Sequence, residues 1–323
     1  MKILAFETSC DDTSLALFEE DKLIFMDTMS QIAIHNETCG VVPEVAAREH
    51  ANNIFTVIKN VLDGANVKLE EIDYLAVTMT PGLLPSLLTG ITVAKTISTI
   101  LNIPLIEINH IEAHIFANYL ERKDEEISYP LACLTVSGGH NEVYFMESKW
   151  KLEKIGSTQD DSAGEAFDKV AKMMDLGYPG GPIISQMASE FERPVSSEKT
   201  LFPRVWLKKQ EFDFSFSGLK SAVKREVELR GKLSLEDKRE IAFEFQNAVT
   251  EVLAYKLINA AKQKNVKTVM LAGGVSANDD LNEKILKMAE KEGFNFISPV
   301  KKLYSTDNAA MVGINAYYKI KEL

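Results

Sequence analysis

Leu131-Ala132-Cys133-Leu134-Thr135-Val136-Ser137-Gly138-Gly139-His140-Asn141-Glu142-Val143-Tyr144-Phe145-Met146 is an apolar strand, a glycine turn and a returning strand, and it restarts in mid-chain the order with which the chain begins. A third short strand, residues 152 to 157, follows it. At the start, residues 3 to 7, 14 to 18 and 23 to 29 read as the same three strands separated by turns. The period then changes. Ile54, Val57, Ile58, Val61 and Leu62 mark one face of an amphipathic helix, residues 74 to 77 a strand, 84 to 101 an apolar helix and 104 to 108 a strand. After the second set of strands the spacing predicts helices over 164 to 174, 217 to 229 and 235 to 264. A strand over 266 to 271, a helix over 277 to 292, a strand over 294 to 298 and a closing helix over 307 to 318 complete the chain.

A strand hairpin followed by alternating helices and strands, present twice, predicts a duplicated α/β core with mixed sheets and a cleft between two lobes. That order resembles the actin, sugar-kinase and Hsp70 superfamily, whose lobes are actin-like and ribonuclease H-like and which holds a nucleotide in the cleft. The division expected on this basis is residues 1–108 plus 307–323 for the N-terminal lobe and 109–306 for the C-terminal lobe with helical insertions. The likeness rests on element order, since the two halves show no similarity of sequence.

The chain has 323 residues, enough for two cores, and 46% apolar with 26% charged residues is the balance of an ordinary globular protein rather than a disordered or fibrous one. Glu7 arrives before an apolar leader segment could form, and no uninterrupted apolar run approaches the ~20 residues of a bilayer span, so a cytoplasmic chain without a membrane partner is expected. Cys10, Cys39 and Cys133 are three and far apart, which predicts reduced thiols and argues against a disulfide framework or a cysteine zinc site. A formal charge of −11 argues against wholesale capture of nucleic acid by charge. Between Lys199 and Lys232 the balance reverses, with Arg204, Lys208, Lys209, Lys220, Lys224, Arg225 and Arg230 among them; that stretch reads equally as a solvated helix face or a backbone-binding surface.

His110 and His114, at i and i+4, lie on one helical face and can grip one metal ion, but a catalytic metal wants a third protein ligand. Asp307, at the start of the closing helix, is the preferred candidate, although alone it reads as an N-cap or first-turn acid. His35 and His50 lack such spacing and read as structural or surface residues. The turns carry the other unusual residues. Ser137-Gly138-Gly139-His140 and Gly273-Gly274-Val275-Ser276-Ala277-Asn278 each follow an apolar strand, and the second opens a helix, where exposed N–H groups favour a phosphate or a nucleotide. Neither matches the P-loop or the three-glycine dinucleotide pattern. Asp168, in Gly164-Glu165-Ala166-Phe167-Asp168-Lys169, can meet ribose hydroxyls or simply face solvent, and Gly181, in Tyr178-Pro179-Gly180-Gly181-Pro182, sits in what reads as a rigid turn against which a sugar or base can lie flat.

These motifs, with Glu7-Thr8-Ser9-Cys10-Asp11, Val41-Val42-Pro43-Glu44, Phe214-Ser215-Phe216-Ser217-Gly218-Leu219-Lys220 and Thr306-Asp307-Asn308, resemble in type and order the tRNA N6-adenosine threonylcarbamoyltransferases, from the first strand to the last helix. The resemblance implies transfer of the threonylcarbamoyl group from threonylcarbamoyl-adenylate to N6 of the adenosine 3′ of the anticodon in tRNA, forming t6A and releasing AMP. It further implies one divalent metal ion per chain, iron or zinc, on His110, His114 and Asp307. The adenylate would lie on Thr135, Val136, Ser137, Gly138, Gly139, Asp168, Gly181 and Asn278. Asp11, Asp12 and His140 are the candidate catalytic groups: the two carboxylates to take a proton from the adenine amine, the imidazole to position phosphate or substrate. Where many family members carry Asp-Glu, this chain has Asp11-Asp12, which withdraws one carboxylate by a methylene. The resemblance also implies, for a bacterial-type chain, a catalytically silent paralogue and a small ATPase as partner subunits.

Two other classes fit parts of the chain. A metallopeptidase can be built on His110 and His114, yet the zincin pattern puts its Glu directly after the first His, whereas Glu112 is rotated roughly 200° from His110 around the helix. A kinase or ATPase of the same superfold would release ADP and phosphate from ATP instead of AMP.

Overall fold

A computed structural model of the chain describes residues 1–38, 40–192, 200–206 and 211–322. The described chain sorts into two compact units, Met1–Asp124 with Pro299–Leu323, and Glu125–Ser298. This differs from the expected division at 108/109 and 306/307: residues 109–124 and 299–306 pack with the first unit, which places His110, His114 and Asp307 in one body.

The first unit is built on β1 (Lys2–Glu7), β2 (Asp12–Glu19), β3 (Lys22–Ser30), β4 (Tyr74–Thr80) and β5 (Leu105–Asn109), in the sheet order β3-β2-β1-β4-β5. β1 pairs antiparallel with β2 and parallel with β4. As the central strand it is apolar on both faces, and Ile3 to Phe6 are all buried. A short α1 (Ile32–Asn36) precedes α2 (Pro43–Ala65), and α3 (Leu84–Leu101) joins β4 to β5. Ile54, Val57 and Val61 of α2 and Ala94 of α3 share a core with Leu4, Phe6, Leu15 and Val77 of the sheet. α4 (His110–Phe116) follows β5 directly, and α10 (Ala309–Lys321) packs on β1, β2 and α4. Gly313 permits that approach, because a Cβ there would stand 2.4 Å from the Phe18 ring.

The second unit repeats the plan. Its strands are β6 (Leu131–Val136), β7 (Asn141–Ser148), β8 (Lys151–Ser157), β9 (Thr268–Ala272) and β10 (Asn295–Ile297), in the order β10-β9-β6-β7-β8. Central β6 again pairs antiparallel with the next strand and parallel with the later β9, so the expected duplication holds strand for strand. Its helices are α5 (Ala163–Met173), α6 (Gly180–Ser189), α7 (Ser217–Arg230), α8 (Leu235–Gln263) and α9 (Asp279–Glu292). Phe167 and Phe245 cross edge to face, at 5.0 Å between ring centres, in the core that α5 and α8 share with the sheet.

Two readings need correction. Pro179-Gly180-Gly181-Pro182 is not merely a turn: Pro179 precedes the first turn of α6, and Pro182 falls where a helix has no use for an N–H. Second, α3 is by length and composition apolar enough to cross a bilayer, which the sequence reading denied. In this unit it packs on α2, β1 and β4, and the same composition serves a core helix.

Candidate metal centre and glycine turns

α4 is only seven residues long and starts by a cap: the Asn109 side-chain oxygen accepts from the N–H groups of Ile111 (2.9 Å) and Glu112 (3.1 Å). The cap fixes the face on which His110 and His114 stand, with ring centres 4.6 Å apart and planes crossed at 79°. Asp307, reached 193 residues later, puts Oδ1 at 3.1 Å from His114 Nε2 and 3.6 Å from His110 Nε2. Two ligands on an ion with ~2.1 Å bonds in a tetrahedron stand about 3.4 Å apart, so these separations suit a bound metal. The three ligand atoms all lie within 4.8 Å of one another, and both histidines are buried. Asp307 is not the helix cap: Asn308 takes that role by accepting from the Met311 N–H, which leaves Asp307 in the preceding turn.

Glu112 faces elsewhere and pairs with Lys319 at 3.1 Å, so the peptidase arrangement is absent from this helix. Cys10 and Cys133 are free of any disulfide, and burial pushes both thiols well up; Cys39 lies outside the described residues.

Behind the cluster lies Glu7, a fully buried carboxylate at the end of β1. Its Oε1 accepts from the Ser9 N–H (2.6 Å), and its Oε2 meets the Thr78 hydroxyl (2.6 Å) and His110 Nδ1 (3.2 Å). The next turn, Cys10-Asp11-Asp12, is pinned by a histidine. His50 Nε2 donates to the Cys10 carbonyl at 2.9 Å, so Nδ1 is left to accept from the Thr13 hydroxyl at 2.8 Å. His50 is thus buried and structural rather than a surface residue, and burial lowers its pKa. His35, also buried, meets Gln31 Oε1 through Nε2. No sequence spacing marked Glu7 or His50, because each acts on a residue far away in the chain.

Asp11 is raised by burial against the help of Cys10, and Asp12 is raised to about 7 by burial, eased by Ser30 and reinforced by Asp11 and Asp307. His110 is pulled down by burial, but Asp307 and Glu7 prevail and raise it to about 9. In the metal-free protein both groups therefore favour their protonated forms. That stabilisation is complete below the ordinary values of 3.8 and 6.5 and is lost as pH rises through about 7 and then about 9. With chelator present, thermal melts are expected to fall by on the order of 5 °C between pH 6 and pH 9.5. A flat profile would remove this cluster from the stability of the fold.

In the second unit Ser137-Gly138-Gly139-His140 closes the β6–β7 hairpin, with Ser137 N–H donating to the His140 carbonyl at 2.8 Å. Thr135 and Val136 are buried in β6, whereas Gly138 and Gly139 are exposed with open space in front of them. Two glycines pack against this turn and strand end, and the other predicted residues tie together the helices of the same unit. Gly164 at the start of α5 lies against Ser137 and Gly138, and Gly273, at φ +86°, lies against the Val136 carbonyl. Asp168 Oδ1 accepts from the Gly180 N–H at 2.7 Å and so ties α6 to α5. Asn278 caps α9 through Oδ1, while its Nδ2 donates to Gln246 (2.9 Å) and Ser185 of α6 (3.2 Å). Gly181 and Gly274, like the hairpin glycines, have nothing where a Cβ would be. Thr135 to Gly139 form the strand end and turn, Asp168 and Gly181 lie at the junction of α5 and α6, and Asn278 links α9 to α6 and α8.

The basic stretch is largely spent. Lys220 pairs with Asp161, Lys224 with Glu228, Arg204 with Glu251, and Arg230 with Glu226, Asp237 and Glu240. Lys199, Lys208 and Lys209 lie outside the described residues.

A family model described as TsaD, tRNA N6-adenosine threonylcarbamoyltransferase, matches residues 22–314. The chain belongs to that family. A protein of that name from Persephonella marina is 47% identical over 323 residues, covering 100% of this chain and 91% of the relative. One from Staphylococcus haemolyticus is 45% identical over 318 residues, 98% of this chain and 90% of the relative. Among solved structures, HypF from T. kodakarensis matches with a TM-score of 0.62 at 12% identity, over 99% of this chain and 48% of that one. Component A of the (R)-2-hydroxyglutaryl-CoA dehydratase of Acidaminococcus fermentans matches with 0.55 at 13% identity, over 99% of both chains. At such identities they speak for the fold alone, and that fold is the actin-like one the element order predicted.

Proposed function

We propose that this chain transfers the threonylcarbamoyl group of threonylcarbamoyl-adenylate to N6 of the adenosine 3′ of the anticodon in tRNA, forming t6A and releasing AMP. The observation that carries the reading is the convergence of His110, His114 and Asp307, in a chain of this family, into a group of metal-ligand type. They would hold one divalent ion, iron or zinc; when bound, it supplies Lewis-acid stabilisation of charge developing on the carbamoyl oxygen.

The chain's own residues do the rest. An exocyclic adenine amine is a poor nucleophile, so orientation matters as much as activation. The exposed backbone of Gly138 and Gly139 receives the adenylate in a turn that Ser137 closes with its own N–H, Asp168 and Gly181 border its sugar, and Asn278 fixes the second glycine turn, with Thr135 and Val136 shaping the strand end beneath. Asp12, poised near neutrality, takes the amine proton as the new C–N bond forms; burial, reinforced by Asp11 beside it, keeps that pKa high. AMP then leaves as a phosphate anion without strong acid catalysis, and His140 positions that phosphate.

Accessory subunits complete the enzyme. Among the described residues of the basic stretch, Arg204, Lys220, Lys224 and Arg230 are paired internally, and a catalytically silent paralogue and a small ATPase are the partners we assign to complete the tRNA surface. Phe55 on α2 and Leu84, Leu88 and Ile100 on α3 stand exposed, apolar surface of the kind that subunits cover. We place the reaction in the cytoplasm. The test mixes purified chain, threonylcarbamoyl-adenylate and unmodified tRNA, with and without those subunits, and reads t6A by mass and AMP by chromatography. Both products are expected once the subunits are present; no t6A under any combination sinks the reading.

A further inference from the structure

Glu7 is buried to 0% exposure, and among the described residues its partner of opposite charge is His110. A buried carboxylate is costly unless its charge is used. Its hydrogen bonds show how. Ser9 N–H, which can only donate, occupies one oxygen, while Thr78 and His110 Nδ1 share the other. A carboxylate only accepts, so Nδ1 must carry a proton toward it, and Nε2 is the nitrogen that gives up its proton and offers a lone pair when a metal binds. Nε2 is the atom that faces Asp307 Oδ1 at 3.6 Å. Ser9 Oγ, at 3.2 Å from the same Nδ1, is a second acceptor that agrees with this assignment. The Ser9 turn itself is held from α3: Leu83 N–H donates to the Ser9 carbonyl at 2.7 Å, and Thr8 Oγ1 donates to the Ser86 carbonyl at 3.0 Å.

We propose that Glu7 is a positioning residue that fixes His110 in the Nδ1-protonated form and so presents Nε2 to the metal. The inference rests on the metal site assigned above. A glutamine has the same shape but only one accepting oxygen. Turned either way, its NH₂ meets an N–H, of Ser9 or of His110, and the imidazole is the one that can yield by moving its proton. Filling space would be served equally by glutamine; setting the tautomer would not.

The experiment compares wild type and Glu7→Gln by competition for zinc against a chromophoric chelator, and reads ¹⁵N shifts of the histidine rings in the zinc-loaded proteins. Wild type is expected to show His110 protonated at Nδ1 and zinc-bound at Nε2. Glu7→Gln is expected to bind zinc about 10- to 100-fold more weakly and to lose that signature. Affinity within twofold of wild type, or an unchanged ring signature, overturns the proposal. Should Glu7→Gln fail to fold, Glu7→Asp, which keeps the charge but withdraws it, decides: weaker zinc binding in a folded protein supports the role, and unchanged binding overturns it. Failure of wild type itself to bind zinc or ferrous iron would sink the metal site, and this inference with it.

Discussion

His114→Ala is expected to strip the chain of its metal and to lower t6A formation about a thousandfold, with the fold retained. The imidazole is 1% exposed, and its Nε2 meets Asp307 Oδ1 at 3.1 Å, so its loss leaves two ligands, too few for a stable site. Lewis-acid stabilisation worth several kcal/mol disappears with the ion, and each 1.4 kcal/mol is a factor of ten in rate. Glu112→Ala on the same helix is the control. Its carboxylate pairs with Lys319 where both side chains are about one-third exposed, a contact worth no more than about 1 kcal/mol, and it does not point at the ligands. Metal content by mass spectrometry and t6A yield are measured on both. A His114→Ala protein that keeps its metal or its rate would remove the cluster from the reaction, and a Glu112→Ala protein that loses transfer would reopen the peptidase-like arrangement.

The fold was legible where single elements carry their own boundaries. α3 was read to the residue, because Pro85 opens it and Asn102, at φ 55°, ends it in the left-handed region. β6 was read as sharply, between Pro130 and the glycine turn. α2 was legible only from Ile54 onward. Its first turns bury little beyond Ala46 and His50 and present Glu44 and Arg48 to solvent, so no apolar stripe announced them. α6 hid behind two glycines and a proline that local chemistry assigns to a turn. Of the metal centre, the histidine pair followed from its i, i+4 spacing, whereas Asp307 could be preferred only through a fold in which the closing helix returns to the first unit. Glu7 stood in a quoted motif, but its contact with His110 was hidden for a related reason: strand pairing, not spacing, brings it to a ring 103 residues away.

Gly164→Ala and Gly138→Ala should part company, and their difference tests the glycine turns. Inside a helix alanine is favoured over glycine by about 1 kcal/mol, so helix propensity alone predicts that Gly164→Ala stabilises α5. The contacts say otherwise. A Cβ on Gly164 would stand 2.6 Å from the Ser137 carbonyl and 2.8 Å from the Gly138 backbone, which is not the flexible end of a side chain and cannot swing aside. Overpacking of this kind costs about 1–3 kcal/mol, enough to cancel the propensity gain, and the strain falls on the hairpin turn. Ser162 Oγ also donates to the Gly138 carbonyl, at 2.6 Å, so the turn cannot retreat without breaking that bond. Gly164→Ala is therefore expected to lower the melting temperature by about 2–4 °C and to weaken adenylate binding together. On Gly138 a Cβ meets nothing within 4 Å, so Gly138→Ala should melt as wild type does. If the adenylate approaches that open backbone, the methyl group occupies its place, and binding should still fall at least about tenfold, roughly the 1.4 kcal/mol that one lost close contact removes. Calorimetric titration with AMP and a thermal melt on each variant give the two readings. A stable Gly138→Ala protein that binds AMP as tightly as wild type would take the Ser137–Gly139 turn out of the nucleotide site.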